Sequence, residues 1–109
     1  MIEESACVIL PYFKMKYDLK DSKNDYGLMD YGAAWALVEN ILLAATAEGL
    51  GSVVHIPVKN EPVKIKELMQ VPDGYSLPTL IMLGYASSDA LTPAQVPATV
   101  EKKVRWNKW

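Results

Sequence analysis

The strongest candidates for chemistry in this chain are basic and lie near its end. Lys103 and Arg105 are separated by one residue. A guanidinium can hold a phosphate through two parallel hydrogen bonds, and a neighbouring ammonium adds positive charge. This spacing allows a phosphate contact, whereas a solvated chain end is the commoner fate of a terminal segment. Trp106 and Trp109 argue against a solvated end, because large rings are costly to leave in water.

Paired carboxylates and metal clusters are not indicated. Glu39 and Glu48 are nine residues apart, about two and a half helical turns, so they share a helix face without touching. The single cysteine, Cys7, excludes an internal disulfide, and one Cys with one His is too few for a metal cluster. We therefore expect no metal site. Cys7 lies in an apolar run, where a buried thiol is expected.

Two further patterns have simpler structural explanations. Ser52 and His55 are close in sequence, but a turn followed by a strand does not build a nucleophile elbow. His55 is more simply a packed strand residue. Gly49-x-Gly51 follows a predicted helix, whereas the dinucleotide fingerprint follows a strand and opens a helix. A helix stop and a tight turn explain both glycines, so we reject a Rossmann fold.

The elements around these residues begin with an apolar strand in 5–13, followed by a polar loop over 14–29. A helix is predicted over 30–48, with Asp30 as its N-cap and Gly49 as its left-handed C-terminal residue. This helix is apolar nearly all round, a pattern typical of burial on most sides. It is expected at the centre of the fold or at a subunit interface.

The second half of the chain alternates short elements. A strand over 53–58 is closed by Pro57, and a helix over 61–69 follows. Residues 79–86 form a continuous apolar run that predicts a strand buried on both faces. Residues 87–100 contain two prolines and little charge, so they read as an extended connection. The order strand, helix, strand, helix, strand predicts a layered α+β domain.

Composition fits one domain, 1–109, with 50% hydrophobic and 22% charged residues. The net charge of −2 does not indicate a nucleic-acid partner. No basic-then-apolar signal opens the chain, and no apolar run was expected to reach membrane-spanning length. We expect a cytoplasmic protein with no membrane partner.

An ordered set of motifs resembles the FMN-dependent nitroreductase-like family. The matching parts are the central helix with its glycine turn, the next helix with its turn, and the following strand. They are Asp30-x-Gly32-x-Ala34, the run 39–45, Glu48-Gly49-Leu50-Gly51-Ser52, the segment 65–75 and the strand 80–85. The basic segment near the end of the chain also matches.

The resemblance implies a nitroreductase-like three-layer α/β/α sandwich, present here in part, with helix 30–48 at its centre. It implies an FMN-dependent oxidoreductase that takes hydride from NADH or NADPH and passes it to nitroaromatic, quinone or similar acceptors. Family members are typically homodimers whose two chains together enclose each flavin.

The resemblance also assigns candidate cofactor-binding residues, but no catalytic side chain. The segment after the glycine turn resembles the one whose backbone approaches the flavin ring, and the late basic pair resembles the one that holds the FMN phosphate. The ring segment consists of His55, Ile56, Pro57, Val58 and Lys59, and the phosphate pair is Lys103 and Arg105.

One departure from the family pattern bears on partners. The family's initial helix and Arg/Ser-rich phosphate motif precede the first strand, whereas this chain starts almost at that strand and has no arginine before Arg105. One expectation is a truncated or split enzyme, working as a homodimer or with a complementing N-terminal half. The alternative is a non-catalytic remnant that acts as a small-molecule-binding or interaction module.

Overall fold

The computed structural model describes residues 2–20 and 25–109, which form five strands and three helices in those ranges. The mixture of helix and sheet confirms the predicted α+β class. In chain order the elements are β1 (Cys7–Ile9), β2 (Phe13–Lys14), α1 (Tyr26–Ala47), β3 (Gly51–His55), α2 (Glu61–Leu68), β4 (Tyr75–Ser76), β5 (Leu80–Gly84) and α3 (Val100–Lys103).

The main sheet has the strand order β1-β5-β3, and both pairings are antiparallel. Met82 of β5 lies between Val8 of β1 and Val53 of β3. The strand predicted within 79–86 is therefore the middle strand, and Leu80, Ile81 and Met82 are buried in it as expected. An unbroken apolar run suits this place because both faces of a middle strand need cover.

The sequence-predicted strand over 5–13 is divided into β1 and β2, with Pro11 between them. Proline cannot donate to a strand ladder, which accounts for the break. β2 pairs with β4 in a separate two-stranded sheet, next to the turn at Gly74 (φ 84°). Cys7 is exposed, so the expected buried thiol was wrong. Cys7 begins β1, which is an edge strand of the main sheet. The strand order places β1 at the edge, and the local apolar run does not reveal that order.

Helix α1 begins at Tyr26, so the predicted start with Asp30 as N-cap was wrong. Residue 25 occupies the N-cap position, where its side chain makes no capping hydrogen bond. Tertiary packing holds the first turn instead. A Cβ on Gly27 would lie 2.9 Å from the carbonyl oxygen of Asp18, so only glycine lets the preceding segment lie this close to the helix.

The polar loop predicted over 14–29 ends at this helix, and its residues 21–24 lie outside the described part of the chain. The aromatic rings of Tyr17 and Tyr26 lie 5.2 Å apart, centroid to centroid. At the other end of α1, Gly49 has φ 73°. The Leu50 amide donates to the Ala45 carbonyl at 2.9 Å. This closure is a Schellman motif, which confirms the predicted glycine stop.

Within the single chain, α1 is buried on one face only, and burial of its other sides at a subunit interface stays a prediction. Ala34, Val38 and Ala45 are buried, and β3 is the helix's principal neighbour. Leu37 and Leu43 remain 53% and 59% exposed. By length and composition α1 could also cross a membrane, contrary to the expectation that no segment would reach that length. Core helices of larger soluble assemblies have the same composition. Length and composition therefore do not distinguish a membrane-spanning helix from a buried core helix.

The chain exposes much more surface than its mass requires. Its accessible area is 9205 Å², whereas a compact monomer of 12.1 kDa exposes about 6,000 Å². Its radius of gyration is 17.4 Å, against about 13 Å for a compact domain of this length. Residues 85–109 are all exposed, including Trp106 and Trp109, so these rings do not pack within the chain as their size suggested.

Candidate functional site

The segment 55–59 leaves the sheet at the end of β3 and turns into α2. Pro57 cannot continue the strand because it has no amide hydrogen. Lys59 then adopts φ 54°, a left-handed conformation that non-glycine residues seldom take. The Glu61 amide donates to the Val58 carbonyl at 3.1 Å, which closes the turn. The sequence-predicted flavin segment is therefore a tight, defined turn at one end of the sheet.

The Glu61 carboxylate holds this turn through two contacts with the same oxygen. The Val58 amide donates to Oε2 at 2.9 Å, and the His55 Nε2 atom lies 2.9 Å from it. The Val58 amide, and then the His55 imidazole, hold the pKa of the Glu61 carboxyl below its usual value. His55 is half-buried at the end of β3, and its ring is paired with Glu61 as well as packed.

Thr79 ties the same segment to the middle strand. Its side chain is completely buried, and its hydroxyl donates to the His55 carbonyl at 3.0 Å. The side chains of Ile56 and Val58 are exposed and form an apolar surface on this turn. A cleft of about 390 Å³ lies beside this surface and is lined by Val58, Lys59, Asn60, Glu61 and Lys64.

Lys103 and Arg105 lie two positions apart near the end of the chain, and their phosphate-binding role stays a prediction. Both line a cleft of about 390 Å³ with Asn107, Lys108 and Trp109. The Arg105 Nη1 atom donates to the carbonyls of Lys102 and Val104, at 3.1 Å and 3.0 Å. These bonds orient the guanidinium, whose Nε and Nη2 atoms carry further donors. This cleft and the one beside Lys59 share no lining residue.

A third cavity, of about 320 Å³, lies beside α2 and the β2–β4 pair, and Tyr12 and Lys66 are among its lining residues. The Tyr12 hydroxyl is buried and has no hydrogen-bond partner within the described residues. Burial raises the pKa of the Tyr12 hydroxyl, and the Lys66 ammonium offsets part of that rise. Among residues 2–20 and 25–109, no three His, Cys, Asp or Glu side chains are grouped to hold a metal ion.

Sequence reasoning missed Glu61 and Thr79. An acidic residue in the first turn of a helix was a signal for Glu61, because such residues meet free backbone amides there. Thr79 carried no local signal, since its bond to His55 spans 24 residues of chain.

Comparison with known proteins decides the family. A sequence model of the Nitroreductase family matches residues 1–85. The chain belongs to the nitroreductase family. Its fold is similar to the crystal structure of the nitroreductase family protein from Streptococcus pneumoniae TIGR4, with a TM-score of 0.58 and 22% sequence identity. That match covers 84% of this chain, but the chain spans only 42% of the other protein's length. No curated protein matches the chain.

Flavin-dependent oxidoreduction is an activity of the family as a whole. The solved structure supports the nitroreductase-like fold that the sequence predicted.

Proposed function

We propose that this chain forms part of an FMN-dependent oxidoreductase of the nitroreductase type. The observation that carries the proposal is the braced, exposed turn at 55–59, found in a chain of a flavoenzyme family. Bound FMN would carry hydride from NADH or NADPH to a nitroaromatic, quinone or similar acceptor. The protein's own contribution is to bind and orient the cofactor, and we place this reaction in the cytoplasm.

The residues of the chain fit such a cofactor at both ends. The turn from His55 to Lys59 offers backbone and the exposed apolar side chains of Ile56 and Val58 to a flat ring. Lys103 and Arg105 share a concave, cationic surface that suits a phosphate. We assign the ring to the first group and the phosphate to the second.

The two groups line separate clefts, so we propose that a second copy of the chain completes each site. The exposed apolar face of α1 and the exposed residues 85–109 supply the surface for that contact. The excess exposed area is about 3,000 Å² relative to a compact monomer. Obligate homodimers bury about 2,000–5,000 Å² in total, or about 1,000–2,500 Å² on each chain, so a homodimer accounts for a large part of the excess.

Titration of the purified chain with FMN tests the proposal, with quenching of flavin fluorescence as the measurement. We expect a Kd near micromolar, about −8 kcal/mol. Arg105→Ala should weaken binding by roughly 1.5–3 kcal/mol, because it removes a charged hydrogen bond to the phosphate. Lys16→Ala, which removes an exposed cation outside both clefts, should leave the Kd unchanged.

The alternative function is a non-catalytic binding or interaction module, and the separation of the two clefts is the observation in its favour. Failure to bind FMN, both alone and with a family-type N-terminal segment supplied, would remove the flavoenzyme proposal. Binding only in the presence of that segment would identify the chain as half of an enzyme, with a complementing N-terminal half as its partner.

A further inference from the structure

Glu61 and Thr79 converge on the turn at 55–59 from two different elements. Glu61 opens α2, and Thr79 immediately precedes β5. We propose that both are positioning residues, which fix the backbone of this turn before a flavin binds to it. The inference rests on the proposed function, because the turn is the part of the chain assigned to the flavin ring.

The backbone closes this turn through the hydrogen bond from the Glu61 amide to the Val58 carbonyl, and side chains add further restraints. Pro57 has no amide hydrogen to donate, and Lys59 sits at φ 54°. Left-handed conformations of this kind persist where the surrounding structure over-determines them. The bond from the Val58 amide to the Glu61 carboxylate, at 2.9 Å, is the restraint nearest to Lys59. It fixes the residue between Pro57 and the strained position.

His55 is held from both sides at the point where the turn leaves the sheet. The Thr79 hydroxyl holds its carbonyl at 3.0 Å, and the Glu61 carboxylate holds its ring at 2.9 Å. Thr79 is completely buried beside the middle strand, so its hydrogen bond fixes the His55 carbonyl relative to the sheet. The Glu61 side chain is 46% exposed. It affects the surface assigned to the flavin ring by holding the Val58 amide. The exit direction of the turn is thereby set by the sheet and by α2 together.

Replacing the carboxylate separates this role from general stability. Glu61→Ala removes the acceptor, Glu61→Gln retains a carbonyl oxygen, and Glu67→Ala truncates an exposed acid on the same helix as the control. Hydrogen exchange of the Val58 amide, followed by NMR without FMN, is the first measurement. We expect about tenfold faster exchange in Glu61→Ala, from loss of a charge-assisted hydrogen bond. Exchange in the Gln variant should fall between those of the wild type and Glu61→Ala, because its oxygen accepts without the charge, and exchange in the control should stay near the wild-type rate.

The FMN dissociation constant of the same variants is the second measurement. It should rise about tenfold in Glu61→Ala, since order lost from the turn must be restored on binding, and it should not change in Glu67→Ala. Thr79→Val, which removes the hydroxyl while keeping the side chain's shape, should also raise the Kd, and Thr79→Ser should restore it. If Thr79→Val does not fold, the comparison of Glu61→Ala with Glu61→Gln still tests the inference.

Each outcome decides a different point. Unchanged exchange at Val58 in Glu61→Ala overturns the inference. Faster exchange with an unchanged FMN Kd also overturns it, while leaving the flavin assignment intact. If the wild-type chain binds no FMN in any assembly, the proposed function fails and the positioning role falls with it, even where exchange confirms the hydrogen bond.

Discussion

Strand β5 and helix α1 have similar compositions but contrasting surroundings. β5 is apolar throughout, and α1 carries only Asp30 and Glu39 as charged residues. Ile81 of β5 is fully buried in the middle strand of the sheet, whereas Leu43 of α1 is 59% exposed. The chain therefore covers the apolar surface of its middle strand but leaves much of that of its longest helix uncovered.

This difference shows that an apolar sequence pattern predicts a buried surface. The pattern does not say whether the same chain or another molecule buries it. Contiguous exposed apolar surface on a helix marks a contact with another protein or with a membrane. We propose a second copy of the chain as that contact, because α1 and residues 85–109 are exposed together. Variants that affect β5 and α1 differently can test this interpretation.

The largest effect is expected from Ile81→Ala in the middle strand. Removal of a fully buried Ile side chain leaves a cavity and should lower the free energy of unfolding by about 2–5 kcal/mol. Ile56→Ala, which truncates the same residue type at 57% exposure, should cost much less. Chemical unfolding without FMN, at one fixed protein concentration, measures both. Equal losses would show that the sheet is not the stable core.

A charged substitution on α1 should act on assembly more than on the folded chain. Leu43→Glu places a carboxylate on the exposed apolar face, and burial of that unpaired charge in an interface is costly. We expect the dimer dissociation constant to rise at least about a hundredfold, equivalent to roughly 2.7 kcal/mol. Sedimentation over a concentration series measures it. Leu68→Glu, on the exposed surface of α2, is the matched control, and an equal response there would remove α1 as the interface.

The smallest effect is expected at Tyr12, whose hydroxyl is buried without a partner in the described residues. Tyr12→Phe removes that unsatisfied group and should raise stability slightly, by up to about 1 kcal/mol. Tyr85→Phe, at an exposed ring, should have no effect. Thermal unfolding of both variants provides the comparison. Destabilisation by Tyr12→Phe would mean that a partner chain supplies the missing acceptor, which would extend the interface beyond α1.

Local sequence patterns predicted most of the elements of this fold. The apolar run at 79–86 and the glycine stop at Gly49 are each controlled by neighbouring residues. The start of α1 was missed because it depends on contact between Gly27 and a segment nine residues earlier. Such contacts leave no periodic signal.

The candidate site was predictable in part. The structure gathers Lys103 and Arg105 in one cleft and presents His55 to Lys59 as one turn, while their roles toward FMN stay predictions. Glu61 and Thr79 emerged only from the structure, because their bonds depend on turn geometry and on strand order. Cover for the exposed side of α1 stays a prediction, since periodicity reports an apolar surface and not its location in an assembly.

The strand order has a consequence for how this protein is made. A ribosome releases β1 and β3 before β5, yet these two strands are not neighbours in the sheet. The 25 residues from Ile56 to Leu80 take about 1–5 s to synthesise. During that interval the nascent chain has two unpaired strands and an apolar helix, surfaces on which unfinished chains aggregate. A chain that stalls before Leu80 contains both outer strands of the main sheet and cannot form it.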